Sequence, residues 1–150
     1  MSIGKKQYEK RTVELVSELQ GHCLLLSPKE NLRTPLPSSV TSIKEWPNVS
    51  VDETFKSILS INDLAFSQNL NDFLKELQQY ANRETRLYFC DRTTTPKGKN
   101  GSARNDITGS LWDTKWSVIH CERFTTEKKR STPQYACGIA RIKRAHDGNL

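Results

Sequence analysis

Ser117-Val-Ile-His-Cys-Glu-Arg-Phe-Thr125 and Gln134-Tyr-Ala-Cys-Gly-Ile-Ala-Arg-Ile-Lys143 both alternate with a period of two, and only residues 126–133 lie between them. That period sends successive side chains to opposite faces, so each run reads as a β-strand. A parallel crossover takes about a dozen residues or more. The pair is therefore an antiparallel hairpin, closed by the basic turn Glu127-Lys-Lys-Arg130.

Working back from the hairpin, helical spacing predicts a helix from Asp106 to Trp116, with Ile107, Leu111 and Trp112 on one face and Asn105 as cap. Arg86-Leu-Tyr-Phe-Cys90 is a strand. Leu70 to Ala81 is the strongest helix, with Leu70, Phe73, Leu74 and Leu77 in register and Asn69 or Asn71 placed to cap it. Phe55 to Ile61, Val40 to Ile43 and Cys23 to Ser27 read as further strands, and Tyr8 to Leu19 as a helix stopped by Gly21. Strands alternating with helices predict a largely parallel sheet covered on both faces. Residues 55–61, 86–90 and 117–124 are expected as parallel neighbours, with 134–143 antiparallel to 117–124. The whole chain, 1–150, reads as one domain with an N-terminal helix in 1–20 and a tail at 145–150.

Composition narrows the function classes. Of 150 residues, 35% are apolar and 27% charged, which suits a polar globular domain. No apolar run approaches the ~20 residues that span a bilayer. The basic start Met1-Ser-Ile-Gly-Lys-Lys6 leads into no apolar segment, so a cytoplasmic protein without membrane association is expected. Cys23, Cys90, Cys121 and Cys137 never form a C-x-x-C pair. His22-Cys23 and His120-Cys121 lie in strand-like runs, where neighbouring side chains point apart, so neither dipeptide can chelate one ion. No metal site is expected, and the thiols read as buried and reduced. Charge is uneven: residues 1–91 hold 11 Lys/Arg against 12 Asp/Glu, whereas 92–150 hold 12 against 5.

A parallel sheet finished by an antiparallel hairpin resembles the class I, Rossmann-like, S-adenosylmethionine-dependent methyltransferases. Phe55-Lys-Ser-Ile-Leu-Ser-Ile-Asn-Asp63, Asn71 to Tyr80 and Thr85-Arg-Leu-Tyr-Phe-Cys-Asp91 are similar to that family's fourth strand, next helix and fifth strand. Asp106 to Phe124 resembles its last helix and sixth strand, and Tyr135 to Arg141 its closing strand. The match covers about residues 54–144. It implies an α/β, three-layer Rossmann-like methyltransferase sheet, truncated in its N-terminal half.

The departures from the family concern the cofactor. Its members hold S-adenosylmethionine with a Gly-rich turn after the first strand and an acid at the end of the second. Here the first strand runs into Ser27-Pro-Lys-Glu-Asn-Leu-Arg33, and no glycine occurs between Gly21 and Gly98. Glycine lets backbone approach a ligand closely, and Pro28 has no N–H to offer one. Between Lys44 and residue 56 there is no room for the family's helix, third strand and second helix, so one sheet edge should be missing. Asn82-Arg-Glu84 stands where the family often has a glycine-containing turn.

Ligands of open α/β sheets bind beyond the carboxyl ends of the parallel strands. The resemblance thus places any S-adenosylmethionine site at Ser27, Glu45 (for the ribose-binding acid), Asn62, Asp63 and Asp91. No nucleophile–base–orienter set is readable, because His22 and His120 lie in separate strands and His146 in the tail. Three functions stay open. One is a degenerate methyltransferase-like pseudoenzyme that binds without catalysis and holds no cofactor, a reading favoured by the missing glycines. Another is an active minimal methyltransferase whose pocket a partner chain completes. The third is a basic nucleic-acid-binding module using Lys97, Lys99 and Arg104 of one loop and Lys128, Lys129 and Arg130 of the hairpin turn. Those loops contain no aromatic residue, so they would follow phosphates without stacking bases.

Overall fold

The computed structural model describes residues 3–64, 68–93, 107–125 and 134–143. The chain begins with α1 (Ile3–Val16) and enters the sheet at β1 (Gly21–Leu25). Gly21 makes that entry at φ 70°, where an added Cβ would also lie 2.7 Å from the Cβ of Lys56, so a side chain is excluded twice over. Then come β2 (Val40–Glu45), β3 (Ser57–Ile61), α2 (Leu70–Leu77), β4 (Arg86–Thr93), α3 (Ile107–Asp113), β5 (Trp116–Thr125) and β6 (Gln134–Ile142). No described helix is long and apolar enough to cross a membrane.

One sheet holds all six strands, in the order β2-β1-β3-β4-β6-β5. β1 pairs in parallel with β2 and β3, and β3 with β4, while β6 runs antiparallel to both β4 and β5. The hairpin predicted from the sequence is present, but its placement corrects the expected neighbours. Residues 134–142 insert between 86–93 and 116–125, so 117–124 does not pair with 86–90. Burial gives the reason. Tyr135, Ala136, Cys137 and Ala140 are covered on both faces, as an interior strand requires, whereas β5 leaves Ile119 and His120 exposed. Gly138 permits the close approach: a Cβ there would sit 2.4 Å from the His120 carbonyl oxygen and 2.5 Å from the Phe89 ring.

Alternation along the strands builds two cores. Cys23, Leu25, Leu59, Tyr88, Cys90 and Cys137 face α1, which covers them with Tyr8, Leu15 and Val16, joined by Leu19 just beyond the helix. On the other face Leu24, Ile58, Leu87 and Phe89 meet α2 and α3 through Leu70, Leu74, Leu77, Ile107 and Leu111. Three layers result. Each such leucine contributes roughly 1.5–3 kcal/mol by leaving water. α3 corrects a second expectation. Ile107 and Leu111, four apart, share its buried face, but Trp112 lies about 100° further round. It is 61% exposed, with Lys143 Nζ 4.0 Å from its ring centroid. Trp116 is the buried one, and its indole N–H donates to the Leu74 carbonyl (2.9 Å). Asn69 occupies the N-cap position of α2 but makes no side-chain capping bond.

Cys23, Cys90 and Cys137 are buried and Cys121 half-buried, all as free thiols. Burial pushes the Cys23 thiol up to about 12. Among the described residues no three His, Cys, Asp or Glu side chains gather as metal ligands would.

Leu77 is fully buried between α2 and the sheet. Leu77→Ala should cost about 2–5 kcal/mol in urea unfolding; a loss under about 1 kcal/mol, typical of a surface change, would contradict this packing.

Candidate functional site

At the carboxyl ends of β1 and β3 the backbone turns away from the sheet, and short polar side chains stabilise each turn. Asn62, just past β3, adopts φ 63°, a left-handed conformation that Asn tolerates better than most residues. Its N–H donates to the Cys90 carbonyl (3.0 Å) and its Oδ1 accepts the Arg92 N–H (3.2 Å), joining β3 to β4. Asp63 accepts the Ile61 N–H (3.2 Å) with one oxygen and the Ser27 hydroxyl with the other, which ties this turn to the one after β1. Burial pushes the Asp63 carboxyl above its usual range, against the lowering effect of those two hydrogen bonds. Asp91 lies fully buried beneath, accepting the Ser60 hydroxyl (2.9 Å) and the Leu64 N–H (3.0 Å). A side chain so placed anchors the turn, since a buried polar group is stable where it is hydrogen-bonded.

The end of β2 is engaged differently. The Trp46 N–H donates to the Leu25 carbonyl (2.8 Å), holding the ends of β1 and β2 together. Beyond Ser27 and Pro28, Lys29–Asn31 forms a single 3-10 turn. The Lys29 N–H donates to the Glu45 carboxylate. The acid that ends β2 is therefore bonded to the loop that follows β1.

A cleft of about 690 Å³ opens beside these turns. Tyr8, Glu9, Thr12 and Val13 of α1 form one wall, and the loop Asn31–Thr34 another, with Ser27, Ile61, Asn62, Arg92 and Tyr135 completing the lining. The Tyr8 hydroxyl donates to the Cys90 carbonyl (2.6 Å), and its ring centroid lies 4.4 Å from that of Tyr135. The Arg92 guanidinium stands 5.7 Å from the Tyr135 centroid, within cation–π range. Arg33 and Arg92 against Glu9 give the lining a positive balance.

Of the residues expected at a cofactor site, Ser27 and Asn62 line this cleft and Asp63 holds Ser27. Glu45 and Asp91 accept backbone N–H groups from Lys29 and Leu64. Lys97, Lys99, Arg104, Lys128, Lys129 and Arg130 lie outside the described residues. Sequence reasoning missed Tyr8, Thr12 and Arg33. The signal for the first two was the start of the α1 stripe, where apolar residues give way to hydroxyl-bearing ones. It also found no nucleophile–base–orienter set, yet His22 stands within hydrogen-bond distance of both Ser42 and Glu53.

Among solved structures, the chain is similar to the N-methyltransferase NodS of Bradyrhizobium japonicum in complex with S-adenosyl-l-homocysteine. The TM-score is 0.63 at 8% identity, over 95% of this chain and 89% of that one. The [4+2]-cyclase SpnF gives 0.62 at 14% identity, over 91% and 82%. The Rossmann-like methyltransferase fold is shown. A Burkholderia thailandensis 1,6-didemethyltoxoflavin-N1-methyltransferase with bound S-adenosylhomocysteine gives 0.59 at 8%, over 95% and 80%. No family model and no curated protein sequence matches the chain. Among the described residues no strand lies beyond β2 in the sheet.

A carboxyl raised on folding contributes stability that is present at low pH and lost as pH rises through its folded value. Carbon-detected NMR titration should place Asp63 above the ordinary Asp range. Ser27→Ala, which removes a hydrogen bond to the charged form, should raise it further. A wild-type Asp63 value at or below the ordinary range would contradict the buried arrangement.

Proposed function

We propose that this chain is a methyltransferase-fold protein that binds a small anionic ligand in the cleft and transfers no methyl group. The Glu45–Lys29 contact carries the reading. The two elements with which the family grips its cofactor, the loop after the first strand and the acid ending the second, here bond to each other. Pro28 removes a donor from that loop, and no glycine between Gly21 and Gly98 lets its backbone close on an adenosyl group. These residues do not fit S-adenosylmethionine, and methyl transfer rests on holding donor and acceptor in line. By its name, the [4+2]-cyclase with the same fold carries a reaction other than methyl transfer, so the fold leaves the chemistry open.

The ligand class follows from the lining. Arg33 and Arg92 present guanidinium groups, whose planar donor fork suits carboxylate and phosphate oxygens. Asn31, Thr34 and Asn62 add neutral polar groups at the same walls.

Isothermal titration with S-adenosylmethionine and S-adenosylhomocysteine should give a Kd no tighter than about 1 mM, or ~4 kcal/mol. A micromolar Kd would overturn the reading in favour of a minimal methyltransferase. At constant ionic strength citrate, as a probe of the anion site, should raise Tm in the wild type and not in the Arg33→Ala/Arg92→Ala double variant. No shift in the wild type would remove the anionic ligand from the account.

A further inference from the structure

His22 and Ser42 face each other in register on β1 and β2, near the amino ends of both strands and so at the opposite end of the sheet from the cleft. The Ser42 Oγ lies 2.6 Å from His22 Nδ1, and His22 Nε2 lies 2.7 Å from Glu53 Oε2. The imidazole stacks on Phe55 (centroids 4.5 Å apart, planes at 17°), a fully buried side chain that fixes the plane of the ring. Glu53 is itself positioned, since its other oxygen accepts the Ser50 N–H (3.0 Å). That bond, followed by the one from His22, holds the Glu53 carboxyl below its usual range. An ionised Glu53 accepts a proton-bearing Nε2 and leaves the Nδ1 lone pair free to accept the Ser42 hydroxyl. This is the nucleophile–base–orienter order of serine hydrolases, with the two ring nitrogens exchanged.

Two features of β2 bear on the same place. The register passes from Gly21–Val40 to His22–Ser42, so Thr41 is a bulge immediately before Ser42, and bulges re-aim the side chains beside them. β2 is also an edge strand. Alternate N–H groups of an edge strand face outward without a sheet partner, so one of the two successive amides at Ser42 and Ile43 is available to a developing oxyanion. Ser42 is exposed, and Lys44 lies two residues along the same face of the strand.

We propose that Ser42, His22 and Glu53 form a second site, an acyl-transfer centre that hydrolyses small, unhindered esters. Ser42 Oγ bonds to the ester carbonyl carbon as its proton passes to His22 Nδ1. The ester C–O bond breaks, and the leaving alkoxide takes that proton from His22, giving an acyl-serine and an alcohol. Water then attacks the acyl carbon, its proton passing through His22 to Ser42 Oγ as the acid departs. Glu53 is a positioning residue that fixes the tautomer and balances the charge His22 gains. A purely structural trio, pinning the edge strand, would show the same hydrogen bonds without raising the reactivity of Ser42.

The test uses the full chain and a fluorophosphonate probe, with adducts located by peptide mass mapping. Phosphonylation forms an Oγ–P bond, releases fluoride and sends the serine proton to His22. Ser42 should label about 100-fold faster than the exposed serines Ser17 and Ser38, the lower range for general-base assistance. Glu53→Gln should slow labelling at least ~10-fold while leaving the melting temperature near that of wild type. Ser42 labelling no faster than Ser17 in the wild-type protein would overturn the proposal without recourse to any variant. Equal labelling rates in folded wild type and folded His22→Gln would overturn it too. Neither readout involves the cleft or S-adenosylmethionine.

Discussion

The shortness of the connection from β2 to β3 governs the rest of the molecule. Residues 46–56 must return the chain from the carboxyl end of β2 to the amino end of β3, passing β1 on the way. Fully extended, such a stretch reaches about 35 Å at ~3.3 Å per residue, enough to cross the sheet with nothing left for a helix and a strand. It crosses on the α2 side, where Trp46, Val49 and Phe55 pack into the core. Trp46 meets Phe73 and Tyr80 edge-on at 5.3 and 5.9 Å. The connection thus does the covering that a crossover helix does elsewhere. Because it does so in few residues, β2 becomes an edge, and Glu53 is carried to His22.

The two ends of the sheet then acquire different chemistry. At the carboxyl ends, hydrogen bonds tie the turns to one another: Ser27 with Asp63, Asn62 with Arg92, and Glu45 with Lys29. The cleft lies towards α1 and the loop 31–34, and its lining includes Arg33, Arg92 and Glu9. At the amino ends, the polar residues of β1 and β2 are left without a covering helix and satisfy one another instead. At the carboxyl ends, where Asp91 is fully buried, a polar group left unpaired would cost about 1–3 kcal/mol, whereas at the amino ends Ser42 stays exposed.

Much of this was legible in the sequence, for physical reasons that differ by element. The β3–α2–β4 unit was readable because Leu70, Leu74 and Leu77 recur at helical spacing between two dense apolar runs. The hairpin was readable from its period of two, but not the insertion of β6 between β4 and β5, because pairing partners depend on which strand can be buried on both faces. The small residues Ala136, Gly138 and Ala140 held that information. The positions of Ser27 and Asn62 beside the cleft were readable from the rule that ligands sit beyond strand ends. The partners of Glu45 and Asp91 were not, since a carboxylate's donor can come from a loop distant in sequence, as the Lys29 amide does. His22, Ser42 and Glu53 were hidden for the same reason: each looks like an ordinary polar residue in its own segment, and it takes the parallel pairing of β1 with β2 to bring Ser42 to His22 and the connection after β2 to bring Glu53 there.

All of these consequences depend on β2 being a true edge, with no strand of this or another chain beyond it. Native-state hydrogen exchange measured amide by amide tests that directly. Alternate amides across Thr41–Lys44 should exchange at close to unprotected rates, while those of β1 and β3 exchange only as the core opens. Protection of every β2 amide to the level of β1 would mean that the sheet continues past β2, and would contradict the account.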